Sequence, residues 1–101
     1  MAVLHLVNRL PPDGAGLATC FERLGADDAV VLMEQAVYAC RSGSELAGSL
    51  RQAARGLRLY ALEPDLSARG IFPEAVCEGI EPVDFPGLVA LCCEHDLVHS
   101  W

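Results

Sequence analysis

Residues 29–33 form an unbroken apolar run, Ala-Val-Val-Leu-Met, which stops abruptly at Glu34 and Gln35. A strand with one wet face alternates apolar and polar positions. A continuous run instead fits a strand buried on both faces, as in parallel sheets covered by helices. The rest of the chain is organised around this strand. Residues 3–7 open as another strand, stopped by Asn8-Arg9 and then Pro11-Pro12. Asp13 can cap a first helix through Leu24, with Gly14 and Gly16 weakening its start. Residues 25–28 turn into the central strand, and 35–41 read as a short helical stretch. Ser42-Gly43-Ser44 breaks the chain. Ser44 can then cap a helix over 45–55, which Gly56 ends.

The spacing predicts a third strand over 57–62 and a short helix over 65–69, started by Pro64 and closed by Gly70. Residues 71–79 are irregular. Residues 80–84 read as a short strand that Pro82 keeps away from the sheet centre. A last helix covers 85–95 and a last strand 97–101. Strands alternating with helices predict an α/β fold, a three-layer α/β/α arrangement around a mainly parallel five-stranded sheet. Strand order does not follow from this pattern. In open α/β sheets, sites gather at the carboxyl ends of strands. Glu34, Gln35 and Tyr38 stand at such an end, where the bland alternative for Glu34 is a solvated carboxylate.

At 101 residues the chain is read as one domain, 1–101. Hydrophobic residues make up 52%, high for a chain this short. Small domains bury a modest fraction of their surface, so the excess points to cover by another subunit. A net charge of −7 argues against direct binding of nucleic acid, which needs a basic face. No run approaches the ~18 apolar residues of a membrane span. The N-terminus lacks the basic and apolar regions of a signal peptide. Five cysteines, an odd number without framework spacing, read as thiols of a reducing compartment, hence a cytoplasmic protein.

Among the cysteines, Cys20 is the candidate for chemistry. Leu17, Phe21 and Leu24 share one face of the first helix, and Cys20 falls at the edge of that stripe, towards Arg23. It lies nearly two turns in, beyond reach of the helix dipole, so Arg23 is the nearest stabiliser of a thiolate. The alternative is a half-buried cysteine that packs as a small hydrophobe. Cys40, Cys77, Cys92 and Cys93 read as inert thiols, with Cys92 continuing a core stripe of Phe85, Leu88 and Val89. Cys92, Cys93, His95 and His99 lack the paired spacing of a structural zinc site. No motif for a nucleotide, flavin or activated serine is present, so no cofactor or metal is expected.

Several segments, taken in order, resemble one family. They are Leu4-His5-Leu6-Val7-Asn8-Arg9, Asp28-Ala29-Val30-Val31-Leu32-Met33-Glu34, Val37-Tyr38-Ala39, Leu59-Tyr60-Ala61-Leu62, Pro64-Asp65-Leu66, Ala68-Arg69-Gly70, Val83-Asp84-Phe85, Leu88-Val89, and Glu94-His95-Asp96 through Ser100-Trp101. Together they resemble the TusB/DsrH family of small sulfur-relay subunits. The resemblance implies a DsrE/F/H-like fold and a cytoplasmic hetero-oligomer of three related subunits, two copies of each. The partners it implies are subunits of the TusC/DsrF and TusD/DsrE types and sulfur carriers of the TusA and TusE/DsrC types. Such complexes pass persulfide sulfur either towards 2-thiouridine of tRNA or into sulfur oxidation. The main active cysteine is expected on the D/E-type subunit. Members of the Dsr branch carry a first-helix cysteine, which Tus-type members can lack; Cys20 matches it and leans the reading towards a Dsr-like member. The chain departs from the family at Glu34-Gln35-Ala36, where Glu-Asp-Gly or Gln-Asp-Gly is usual.

Three functions therefore compete. Cys20 relays sulfur as a persulfide, which needs a thiolate and access but no cofactor. Or the chain is a structural subunit that completes the oligomer and shapes a carrier docking site. Or it is a stand-alone module binding a ligand near Glu34 and Tyr38.

Overall fold

The computed structural model describes residues 1–9, 21, 23–44, 48, 52 and 56–101. Five strands, β1 (Val3–Val7), β2 (Ala29–Leu32), β3 (Arg58–Leu62), β4 (Ile80–Val83) and β5 (Leu97–Ser100), form one sheet in the order β4-β3-β2-β1-β5. Every neighbouring pair is parallel. The unbroken apolar run makes the central strand, and all four residues of β2 are buried. Pro82 lies in β4 at one edge, the position in a sheet that tolerates a residue without an N–H. The short helical stretch expected over 35–41 is a 3-10 helix, Glu34–Cys40, starting and ending one residue earlier.

The path from β1 to β4 steps in one direction across the sheet. Right-handed crossovers then put the described segments between these strands on one face. That face packs Val7, Val30, Leu32 and Leu59 against Val37 and Cys40 of the 3-10 helix and Leu66 of α1 (Glu63–Ala68). Phe21 and Leu24, from the segment before β2, pack there too. The chain then returns past the whole sheet to place β5 beside β1. This reversal puts α2 (Phe85–Glu94) on the opposite face, where Leu91 packs against Leu4, Ala29 and Val31.

Most of the expected helices 13–24 and 45–55 lie outside the described residues. α1 starts two residues before the expected 65, and a short 3-10 turn, Pro73–Ala75, interrupts the segment expected to be irregular. α2 corrects the expected core stripe. Its N-terminus is capped by Asp84, whose Oδ1 accepts from the Gly87 N–H at 2.8 Å. Leu91 is the buried residue of the helix, with Leu88 and Cys92 half-buried beside it. Phe85 and Val89 are 56% and 61% exposed. Two apolar stripes share this helix, and the sheet takes the one centred on Leu91. Leu91→Ala should therefore cost about 3 kcal/mol in urea denaturation, as a buried leucine does. Val89→Ser should stay within about 0.5 kcal/mol of wild type.

Candidate functional site

All strands are parallel, so their carboxyl ends share one edge. The direction of strand addition reverses between β1 and β5, and in open α/β sheets the ligand crevice lies at such a reversal. β5 there runs into Trp101, whose backbone N–H donates to Leu6 O at 2.8 Å. Its indole Nε1–H donates to His5 Nδ1 at 3.1 Å. An indole nitrogen only donates, so His5 Nδ1 must accept. The neutral ring then carries its proton on Nε2, which donates to Asp28 Oδ2 at 3.0 Å. His5 and Asp28 are each 5% exposed. His99 stands opposite His5 in the β1–β5 register, and its ring lies 4.7 Å from the Trp101 ring, centroid to centroid.

Asp28 anchors this group to the backbone. The Val3 N–H donates to its Oδ1 and the Gly25 N–H to its Oδ2, both at 3.0 Å. Burial pushes the carboxyl up. The Gly25, His5 and Val3 hydrogen bonds and the attraction of His5 outweigh this and hold it below its ordinary value of 3.8. The sequence pattern assigns no role to His5, Asp28 or Trp101. The available signals were a histidine inside an apolar strand and an aspartate directly before one.

A second group lies at the carboxyl end of β2, where a site was expected. Glu34 adopts a positive φ of 49°, and its N–H donates to Asp65 Oδ2 at 2.6 Å. Arg41 and Arg69 approach the Tyr38 ring at 5.7 and 5.8 Å from its centroid. Arg69 also faces Asp65, Nη1 to Oδ1 at 3.7 Å. The rim thus joins Glu34 to Tyr38 through Asp65 and Arg69, while Gln35 is simply exposed. An open cleft of about 350 Å³ lies alongside, lined by Arg41, Ser42, Gly43 and Ala75.

Cys20, the candidate relay thiol, lies outside the described residues. Arg23, its expected neighbour, is exposed in a turn. Cys40 is fully buried, and burial, then the neighbouring Cys77, pushes its thiol up to about 12. The Cys77 N–H donates to Cys40 O at 2.7 Å. Cys93 is exposed on α2. His95 Nδ1 donates to Leu91 O at 2.7 Å. Among the described residues, no three His, Cys, Asp or Glu side chains gather as a metal site would need. No helix among them is long and apolar enough to cross a membrane.

The family model described as DsrH like protein matches residues 11–98. The chain belongs to the DsrH-like family. Protein TusB of Shigella sonnei is 31% identical over 99 residues, covering 98% of this chain and 100% of that protein. Protein TusB of Escherichia coli is 32% identical over 101 residues with the same coverage. Among solved structures, the ychN protein of E. coli superposes with a TM-score of 0.79 at 18% identity, over 100% of this chain and 99% of that one. MTH1491 of Methanobacterium thermoautotrophicum gives 0.74 at 16% identity, over 97% and 96%. At these identities the two structures speak for the fold alone, a parallel α/β sheet as expected.

In this DsrH-like chain, Asp28→Asn should cost about 2 kcal/mol at neutral pH, the scale of a lost charged hydrogen bond. A carboxyl held low in the folded state stabilises fully above its ordinary value, and that contribution disappears as pH falls through the lower folded value. The gap between wild type and Asp28→Asn in urea melts should therefore narrow below pH 3.8. A gap independent of pH would contradict the assignment.

Proposed function

We propose that this DsrH-like chain is one subunit of a cytoplasmic complex that relays persulfide sulfur between carrier proteins, with Cys20 as its relay thiol. The observation that carries the reading is full-length kinship with TusB proteins. That kinship favours the branch ending in tRNA 2-thiolation. Cys20, by its resemblance to the first-helix cysteine of Dsr-type members, leans the other way, towards sulfur oxidation. Related subunits of the TusC/DsrF and TusD/DsrE types are the proposed partners in the complex, and carriers of the TusA and TusE/DsrC types the proposed donors and acceptors.

The chemistry is a pair of thiol exchanges. The Cys20 thiolate attacks the outer sulfur of a donor persulfide, and the donor leaves as its thiolate. Cys20 then holds a persulfide, whose outer sulfur is taken by an acceptor thiolate, and Cys20 is returned as thiolate. Neither step needs a metal or an external oxidant. Arg23 is proposed to favour the thiolate forms.

A second reading keeps the same complex but makes the chain structural. It is favoured by apolar surface left bare: Phe85 and Val89 on α2, and Leu97 and Val98 on β5, all about half or more exposed. Intact-mass spectrometry of the co-purified complex, after exposure to a persulfide-loaded carrier, separates the two. The relay reading expects this chain to gain one sulfur and the Cys20→Ser chain to gain none. Sulfur found on a partner subunit alone would overturn the relay role and leave the structural one.

A further inference from the structure

We propose that His5 and Trp101 form a proton-sensitive latch, in which protonation of His5 breaks its bond to the indole and swings Trp101 off the sheet at the β1–β5 reversal. His5 Nδ1 accepts from Trp101 Nε1 at 3.1 Å, and His5 Nε2 is committed to Asp28 Oδ2 at 3.0 Å. A proton taken from water onto Nδ1 turns that acceptor into a donor. Two N–H groups then face each other across 3.1 Å, and one side must move. The imidazolium is held, because its bond to Asp28 becomes an ion pair with a buried carboxylate. The indole is what gives way.

The movement is confined to one side chain. The Trp101 backbone stays in register through its N–H to Leu6 O at 2.8 Å. The indole is only half-buried and packs at the edge of the main core cluster. The groups facing His5 are few among the described residues. Asp28 approaches from the turn before β2, His99 from β5 with ring centroids 6.0 Å apart, and Val30 from β2. Phe21 and Leu24 on the same face are apolar. Asp28 is held low, so it stays ionised through the range in which imidazoles change charge. His99 is exposed and stacked on the indole, so a charge on its ring would attract the indole face rather than expel it. His5 is therefore the trigger. The latch stands whether or not Cys20 carries sulfur.

Trp101 is the chain's single tryptophan, so the emission of the full chain reports on the latch directly. Acidification from about pH 8 to about pH 5 spans imidazole titration. Over that range the latch predicts a reversible red shift of emission and loss of the indole N–H's exchange protection in 1H–15N spectra, with far-UV circular dichroism unchanged. His5→Asn places an acceptor oxygen where Nδ1 stood and cannot be protonated, so its emission should be flat. His99→Gln should keep the transition. A transition that survives in His5→Asn and vanishes in His99→Gln overturns the proposal. Should His5→Asn fail to fold, the wild-type indole N–H decides: an unchanged shift and protection across the range overturns the latch.

Discussion

Right-handed crossovers between parallel strands determine where the connecting segments of this molecule can go. Three successive steps, β1 to β4, put the described segments of those connections on one face. The single return to β5 commits α2 to the other. Among the described residues, the first face is covered by the 3-10 helix, α1 and the segment around Phe21, and the second by α2 alone. Leu6, Met33, Tyr60 and Val83 on that second face are consequently only half-buried. A chain this rich in apolar residues leaves them uncovered on its own. The proposed place in an oligomer follows from this topology as much as from kinship.

The same reversal creates the polar centre of the fold. Placing β5 beside β1 brings Trp101 over His5, and His5 reaches Asp28 across the sheet. Burying a carboxylate and an imidazole in an apolar sheet is costly unless their hydrogen bonds are made. Here Asp28 accepts two backbone N–H groups and one ring N–H, while His5 uses both nitrogens. The network ties the start of β1, the turn before β2 and the end of β5 together. It also places an ionisable ring midway along β1, between Asp28 at the amino end of β2 and Trp101 at the carboxyl end of β5.

Local patterns in the sequence were legible and long-range ones were not. The apolar run 29–33 identified the central strand, because a strand buried on both faces admits no polar position. Pro82 identified an edge strand, because it lacks a donor. The stripe on α2 was misread, because Phe85, Leu88, Val89 and Cys92 recur at helical spacing as well as Leu88, Leu91 and Cys92 do. Periodicity alone does not say which stripe meets a sheet. Glu34 and Tyr38 were rightly placed at one strand end, but their link through Asp65 and Arg69 spans some thirty residues of sequence. The His5–Asp28–Trp101 network joins residues 23 and 96 apart in sequence, a separation no local pattern encodes. Cys20, read from helical spacing and family resemblance, lies outside the described residues.

The central claim is that the apolar surface left bare on α2 and β5 is covered by another chain. The most direct measurement is light scattering coupled to size exclusion, on the chain expressed alone and co-expressed with related subunits. The account predicts ill-defined self-association alone and one discrete, larger species with the partners. A monodisperse species of one-chain mass at high concentration, unchanged beside those partners, would contradict it.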